Sequence, residues 1–347
     1  MAPLSAKVAL LGLLAAPHVA AASDYWSERC TTINQRKSWA ALTDDEKSEY
    51  IRAEKCLMES DPINDNDSSY INNEYGTIQN IWDQFHYTHI VEGNYIHYTG
   101  QFLPWHRYYV RVHEVLLQTQ CNYTGAHPYW DETGDTESYQ GHMGDSPIWD
   151  ATTGFGGNGT GTDRGSDCVA TGPFANISLH MSSHNKTDYC LTRAWSQSDL
   201  NGANSSNVQE CFDYANYTDA WSCYNGHPHA AGHGGTGGLM LDPIDSPGDP
   251  MFFLHHAWLD MEYWKWQLAD YPARLTDMGG NNVMAEENLE IAGLSQVGDD
   301  VLDYDGDPGN TTTLNHNLYM RGNMAPNVTV GDVMELNGTV ICAEYIY

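Results

Sequence analysis

FHYTHIVEGNYIHYTGQFLPWHRYYVRVHE, residues 85–114, and DPMFFLHHAWLD, residues 249–260, decide how this chain is read. Both are rich in apolar and aromatic residues, yet both carry histidines along the run. A third stretch, GHPHAAGHGG at 226–235, supplies more. A neutral imidazole is the commonest protein ligand for a transition metal. Taken in order, His89, His97 and His106 form one cluster, and His229, His233 and His256 form another. Two all-histidine triads predict two metal ions held side by side. Such a pair implies redox chemistry on oxygen rather than hydrolysis.

Spacing ranks the histidines. His229 and His233 are four apart, so on a helix both imidazoles reach one ion. His89 follows Phe85 by four and shares its apolar face, which points it into a core. His97 precedes a short loop, GlnPheLeuPro, that delivers His106 near a helix start. His86 competes with His89, His227 with His229 and His255 with His256. Adjacent helical residues point about 100° apart, so normally one of His255 and His256 ligates a given ion. His113, His127, His142, His180, His184 and His316 show no partner pattern and read as surface or hydrogen-bonded core histidines.

The flanking sequence predicts mainly helix. Thr43 and Glu46 form a capping box ahead of Ile51, Lys55 and Met58. Residues 77–92 have helical periodicity, and Pro104 opens a second helix running to Gln118. A short helix is expected from Pro228 through His233, ended by glycines, and another from Pro250 through Trp266. Residues 134–226 are rich in Gly, Ser, Asn, Thr and Asp and read as loops, with GFGGNGTGT at 154–162 on the surface. The tail after Gly279 alternates loops with short strand-like runs. The expectation is a four-helix bundle that holds the metal site, surrounded by long loops and a few short strands.

Composition narrows the function. The chain has 347 residues, 41% of them hydrophobic, with 15 basic against 46 acidic residues and a net charge of −31. That charge argues against nucleic acid or an anionic membrane as a partner. Lys7, the apolar run from Val8 to Ala16 and the small residues Ala20–Ala22 predict a signal peptide over 1–22. A secreted domain over 23–347 would follow. Ten N-x-S/T sequons predict glycosylation, and eight cysteines, an even count, predict disulfides of undetermined pairing.

FLPWHRY at 102–108, DPMFFLHHAWLD at 249–260 and RKSWAAL at 36–42 resemble the tyrosinase, catechol oxidase (polyphenol oxidase) and hemocyanin family, in a short secreted fungal-like form. The resemblance implies a type-3 centre of two copper ions inside a four-helix bundle. The first copper would take His89, His97 and His106, the second His229, His233 and His256. Zinc, which also binds three histidines, is the rival for one triad alone. Phe102 and Phe252, each four residues before a ligand, would wall the site. Asp260, one turn past His256, would accept a hydrogen bond behind the ligands. Small phenols and dioxygen are the implied partners.

Departures from the family sharpen the substrate. Many tyrosinases have Asn or Asp after the first ligand of the second copper, holding a water with a nearby Glu. Here that residue is Ala230, the residue after His233 is Gly234, and no Glu lies between Phe212 and Gly248. Oxidation of o-diphenols is therefore expected over hydroxylation of monophenols. A tyrosinase, an o-aminophenol oxidase, an aromatic-coupling enzyme and a hemocyanin-like oxygen carrier are the alternatives. Tyr95 stands where some relatives have the cysteine of a thioether, so none is expected at His97. Ile244, eleven residues after His233, is placed at the pocket mouth. The chain ends in Tyr345-Ile346-Tyr347, the motif that precedes a shielding domain in longer relatives, so an open pocket is expected.

Overall fold

A computed structural model describes residues 30–63, 68–139, 142–160, 167–184, 188–292 and 307–347. The expected signal peptide lies outside these residues. The principal helices are α1 (Asp44–Glu59), α2 (Ile81–Ile96), α3 (Phe102–Gln120), α4 (Tyr217–Tyr224), α5 (Ala230–Thr236) and α6 (Met251–Leu268). The edge carries a parallel pair, β1 (Asn34–Lys37) against β2 (Ala343–Ile346), in register from Asn34–Ala343 to Lys37–Ile346.

The capping box of α1 is present. The Thr43 hydroxyl accepts from the Glu46 N–H, and the Glu46 carboxylate accepts from the Thr43 N–H. Asp44, Asp45 and Glu46 place negative charge at the positive end of the helix dipole. Every residue of α3 from Phe102 through Leu117 is buried, and so is every residue of α6 from Met251 through Trp264. Helices without a wet face belong in the middle of a bundle. There α3 and α6 pack on each other, with α1 and α2 against α3 and α5 against α6. The expected helical bundle is thus present, and α2, α3, α5 and α6 bring the histidines to its centre.

Three local expectations are revised. Helix α2 starts at Ile81 rather than 77, because the Asn80 side chain accepts from the Asp83 N–H and caps it there. The helix placed from Pro228 is the continuation of α4 through one wide π turn, Asn225–His229, into α5. Pro228, which has no N–H to donate, sits inside that turn. The stretch read as loops, 134–226, contains helices Gln197–Leu200 and Ser205–Phe212 as well as α4. Ser196, Asn204 and Asn216, counted as loop formers, are their caps. Within GFGGNGTGT, Phe155 is fully buried and stacks on Phe174 at 5.5 Å.

All eight cysteines pair, as Cys30–Cys342, Cys56–Cys121, Cys168–Cys190 and Cys211–Cys223. None is left to bridge His97. Cys56–Cys121 ties the end of α1 to the end of α3, and Cys30–Cys342 closes the chain around the β1–β2 edge.

A buried ionic network backs the bundle. Arg36 of β1 donates to Glu114 of α3 at 3.0 and 3.3 Å, and Arg111 donates to the same carboxylate at 2.6 Å. Arg107 of α3 donates to Asp260 of α6 at 2.5 Å, and the Tyr345 hydroxyl of β2 donates to Asp260 at 2.7 Å. Arg36 and Tyr345, at opposite ends of the sequence, thereby lock α3 and α6 from behind.

Candidate metal centre

The first cluster is assembled from the end of α2 and the start of α3. His89 lies mid-helix. His97 is the residue after α2, where the backbone turns extended. His106 sits in the second turn of α3. One ring nitrogen from each lies within 4.8 Å of the others. On the opposite side of each ring, Nδ1–H donates to a backbone carbonyl at 2.8 Å: His89 to Ile244, His97 to Gly93 and His106 to Phe102. The carbonyls fix the tautomer and leave Nε2 as a bare lone pair. Nε2 of His89 and of His106 is buried with no partner.

The second cluster comes from α5, the wide turn before it, and α6. His229 and His233 lie one turn apart with ring centres 4.5 Å from each other. His233 Nδ1–H donates to the Met240 carbonyl at 2.6 Å. His255 and His256 both reach the group, and ligand atoms of all four histidines lie within 4.8 Å of one another. His256 stacks on His106 of the first cluster, rings 4.2 Å apart and 10° from parallel. The two clusters therefore adjoin.

Burial holds these imidazoles neutral. It pushes His97 and His233 down to about 4, and His89, His106, His229, His255 and His256 well below their usual range; for these five, repulsion from neighbouring imidazoles adds to burial. Neutral imidazoles with converging, unpartnered nitrogens are what a transition metal requires. An unfilled group of this kind would leave several buried polar atoms unpaired, each costing roughly 1–3 kcal/mol.

The remaining expected site residues fall in different places. Phe102 lies 4.8 Å from His106 and 4.7 Å from His229, between the clusters. Phe252 lies 4.2 Å from His256 and 5.1 Å from His89. Ala230 is exposed beside His229. Gly234 packs against Asp199, where a Cβ would stand 2.9 Å from Cβ of Asp199. Ile244 is buried against Ile78, Ile90 and Met181 rather than lying free at a mouth, and its carbonyl is what holds His89. Asp260 accepts from Arg107 and Tyr345 rather than from a histidine, since its carboxylate is turned to the ionic network.

Of the alternatives, His227 is exposed, and His86 is buried outside both clusters. His113 and His127, expected as surface or hydrogen-bonded core histidines, form a separate buried group with Glu54 and Tyr50, and His316 pairs with Asp307 at 2.5 Å. Sequence reasoning missed Glu132, whose carboxylate accepts from His255 Nδ1–H at 2.5 Å. Nothing in the sequence links two residues that far apart.

A helical bundle bringing two histidine clusters together from facing helices defines a dinuclear metal protein. Residues 79–269 match the family described as the common central domain of tyrosinase. A tyrosinase-like protein of Diaporthe leptostromiformis is 30% identical over 341 residues, covering 92% of this chain and 79% of the relative. An N-acetyl-6-hydroxytryptophan oxidase of Emericella nidulans is 28% identical over 388 residues, covering 96% and 98%. The structure of a polyphenol oxidase from Thermothelomyces thermophila superimposes with a TM-score of 0.73 at 25% identity, covering 94% of this chain and 92% of that one. The chain belongs to the tyrosinase family, the type-3 copper oxidoreductases, and its two histidine clusters fit the pair of copper ions that the family carries.

Proposed function

We propose that this protein is an o-diphenol oxidase that converts catechols to o-quinones. In this reading His89, His97 and His106 hold the first copper, and His229, His233 and His256 the second. When bound, the copper pair supplies the two-electron exchange between phenol and dioxygen. Each catechol gives up two electrons and two protons, and two catechols reduce one dioxygen to two waters. The chain's own residues set the geometry. Carbonyls of Gly93, Phe102, Ile244 and Met240 orient four of the imidazoles. Phe102 and Phe252 pack their rings against imidazoles of both clusters.

The observation that carries the preference for diphenols is Ala230. It is exposed beside His229 and has no side-chain atom that could accept a hydrogen bond and hold a water for deprotonating a monophenol. Oxygen uptake tests it with catechol, tyramine and o-aminophenol. Rapid uptake with catechol and a slow, lagging response to tyramine are expected. Immediate uptake with tyramine, without added diphenol, would assign a tyrosinase. Reversible oxygen binding without turnover would assign a carrier.

Secretion and glycosylation belong to the same proposal. Four disulfides support an oxidising compartment. N-terminal sequencing of the mature protein, expected to begin near Ser23, and the mass lost on deglycosylation test it.

A further inference from the structure

We propose that Asp242 is a positioning residue for the first copper, fastening from outside both histidine clusters the turn whose carbonyl aims His89. The inference rests on reading the two clusters as a dicopper centre. Asp242 belongs to a separate polar group with Asp245 and His184, whose ligand-type atoms lie within 4.8 Å of one another. Each of the four carboxylate oxygens in that group already accepts a hydrogen bond. Asp242 Oδ1 accepts from the N–H groups of Ile244 and Asp245, both at 2.9 Å, and Oδ2 accepts from the exposed His184 at 2.6 Å. Asp245 accepts from the Ser183 N–H at 2.8 Å and from the Ser182 hydroxyl at 2.6 Å. These acceptors are spent on shaping the turn at 242–245 and tying it to residues 182–184.

The shape of the turn decides where a carbonyl points. Pro243 follows Asp242 and has no N–H to donate, so Asp242 Oδ1 takes the next two N–H groups instead. The Asp245 N–H and the Ile244 carbonyl share one planar trans peptide and point in opposite directions. Holding that N–H on Asp242 therefore turns the carbonyl the other way, where it takes the Nδ1–H of His89 at 2.8 Å. A partner that fixes the orientation of a ligand histidine contributes to metal retention without touching the metal.

The same turn backs a second imidazole. Ile244 lies so close on Gly93 that a Cβ there would stand 2.2 Å from its Cδ1, and the Gly93 carbonyl takes the Nδ1–H of His97 at 2.8 Å. The second cluster is held independently. The Met240 carbonyl, which aims His233, lies in a tight turn of its own, Gly238–Leu241, closed by Met240 N–H on the Gly237 carbonyl at 3.1 Å. A nearby Asp-Pro step shows that such a turn need not hold a ligand. Asp249 precedes Pro250 and accepts from the Met251 N–H at 3.0 Å, but its carboxylate is paired with Arg193 and the turn opens α6. What sets Asp242 apart is the peptide after Ile244, bonded to the aspartate on one side and to a metal-binding imidazole on the other.

The test uses the copper-loaded full chain, with copper per chain measured by elemental analysis and its release followed in EDTA. Wild type should hold two coppers per chain; if it does not, the dicopper reading fails, and this inference with it. With two found, Asp242→Ala should release one copper roughly 10–100-fold faster than wild type, and the other at its wild-type rate. Asp242→Asn, which keeps the Oδ1 acceptor, should release both at wild-type rates. NMR of the metal-free protein identifies the site: the His89 Nδ1–H should exchange with solvent faster in Asp242→Ala, and the His233 Nδ1–H should not. Thr43→Ala, which removes the α1 cap, should lower the melting temperature and leave both release rates alone. If Asp242→Ala does not fold, Asp242→Glu, one carbon too long to close the turn, gives the same readout. Wild-type release from the folded variant, equal acceleration of both coppers, or an equal loss in Asp242→Asn would overturn the inference.

Discussion

Every imidazole of the first cluster is held by a backbone carbonyl, whereas the second cluster leans largely on side chains. Ile244, Gly93 and Phe102 supply the three carbonyls of the first. In the second, only the Met240 carbonyl does so, for His233; Glu132 holds His255, and His256 is positioned by packing against His106 and Phe252. A carbonyl survives replacement of its own side chain. The first cluster should therefore tolerate substitutions that leave those carbonyls in place, and the second should record changes in its side chains.

The harshest way to break that contrast is His106→Gln, because His106 belongs to one cluster and stacks on the other. Catechol turnover should fall to background, and copper should fall to one per chain or less by elemental analysis. Retained turnover would mean that the clusters do not act together.

The next largest effect strikes both clusters equally. Glu114 sits behind the bundle between Arg36 and Arg111. Burial works to raise its carboxyl, but the two guanidinium groups outweigh burial and hold it at about 2, below its ordinary 4.5. The stability it contributes is thus complete above about 4.5 and is lost as pH falls toward 2. Glu114→Gln should cost about 3–5 kcal/mol at neutral pH, since it strands buried arginines. It should also flatten that acid loss in denaturation curves. An unchanged acid profile would remove the network from the account.

A smaller effect sharpens the comparison from the carbonyl side. At Gly93 a Cβ would stand 2.2 Å from Cδ1 of Ile244, whose carbonyl holds His89. Gly93→Ala should displace that loop and weaken copper retention at the first site roughly 10–100-fold. Replacing Ile244 by Val, which keeps the carbonyl, should leave retention nearly unchanged. Equal losses in the two variants would refute the role given to the backbone.

The smallest effect concerns substrate choice. Ala230→Asn restores a hydrogen-bonding side chain beside His229 and should raise the ratio of tyramine to catechol turnover roughly 2- to 10-fold, the worth of one hydrogen bond. No change would place substrate choice elsewhere, with Asp199, against which Gly234 packs, the next residue to replace.

Much of the site was legible because it is local. The i, i+4 spacing of His229 and His233, the apolar face shared by Phe85 and His89, and the Thr43–Glu46 box are all encoded within one helical turn. The short-range misreadings have one cause. Ser196, Asn204 and Asn216 satisfy backbone N–H groups equally well in a loop or at a helix start, and composition does not separate the two. Phe155 was assigned to the surface by its glycine neighbours, whereas its burial depends on Phe174 and Trp39.

The sequence by itself determined the ligand chemistry, the helices that carry it and the family, since residue type and helical period are local properties. Only the tertiary structure decided the four cysteine pairings, the turning of Asp260 away from the histidines, and the meeting of Glu132 and His255. Those depend on which distant segments share a buried volume. That volume must satisfy every polar group it takes from water, and no spacing along the chain records where the partner will come from.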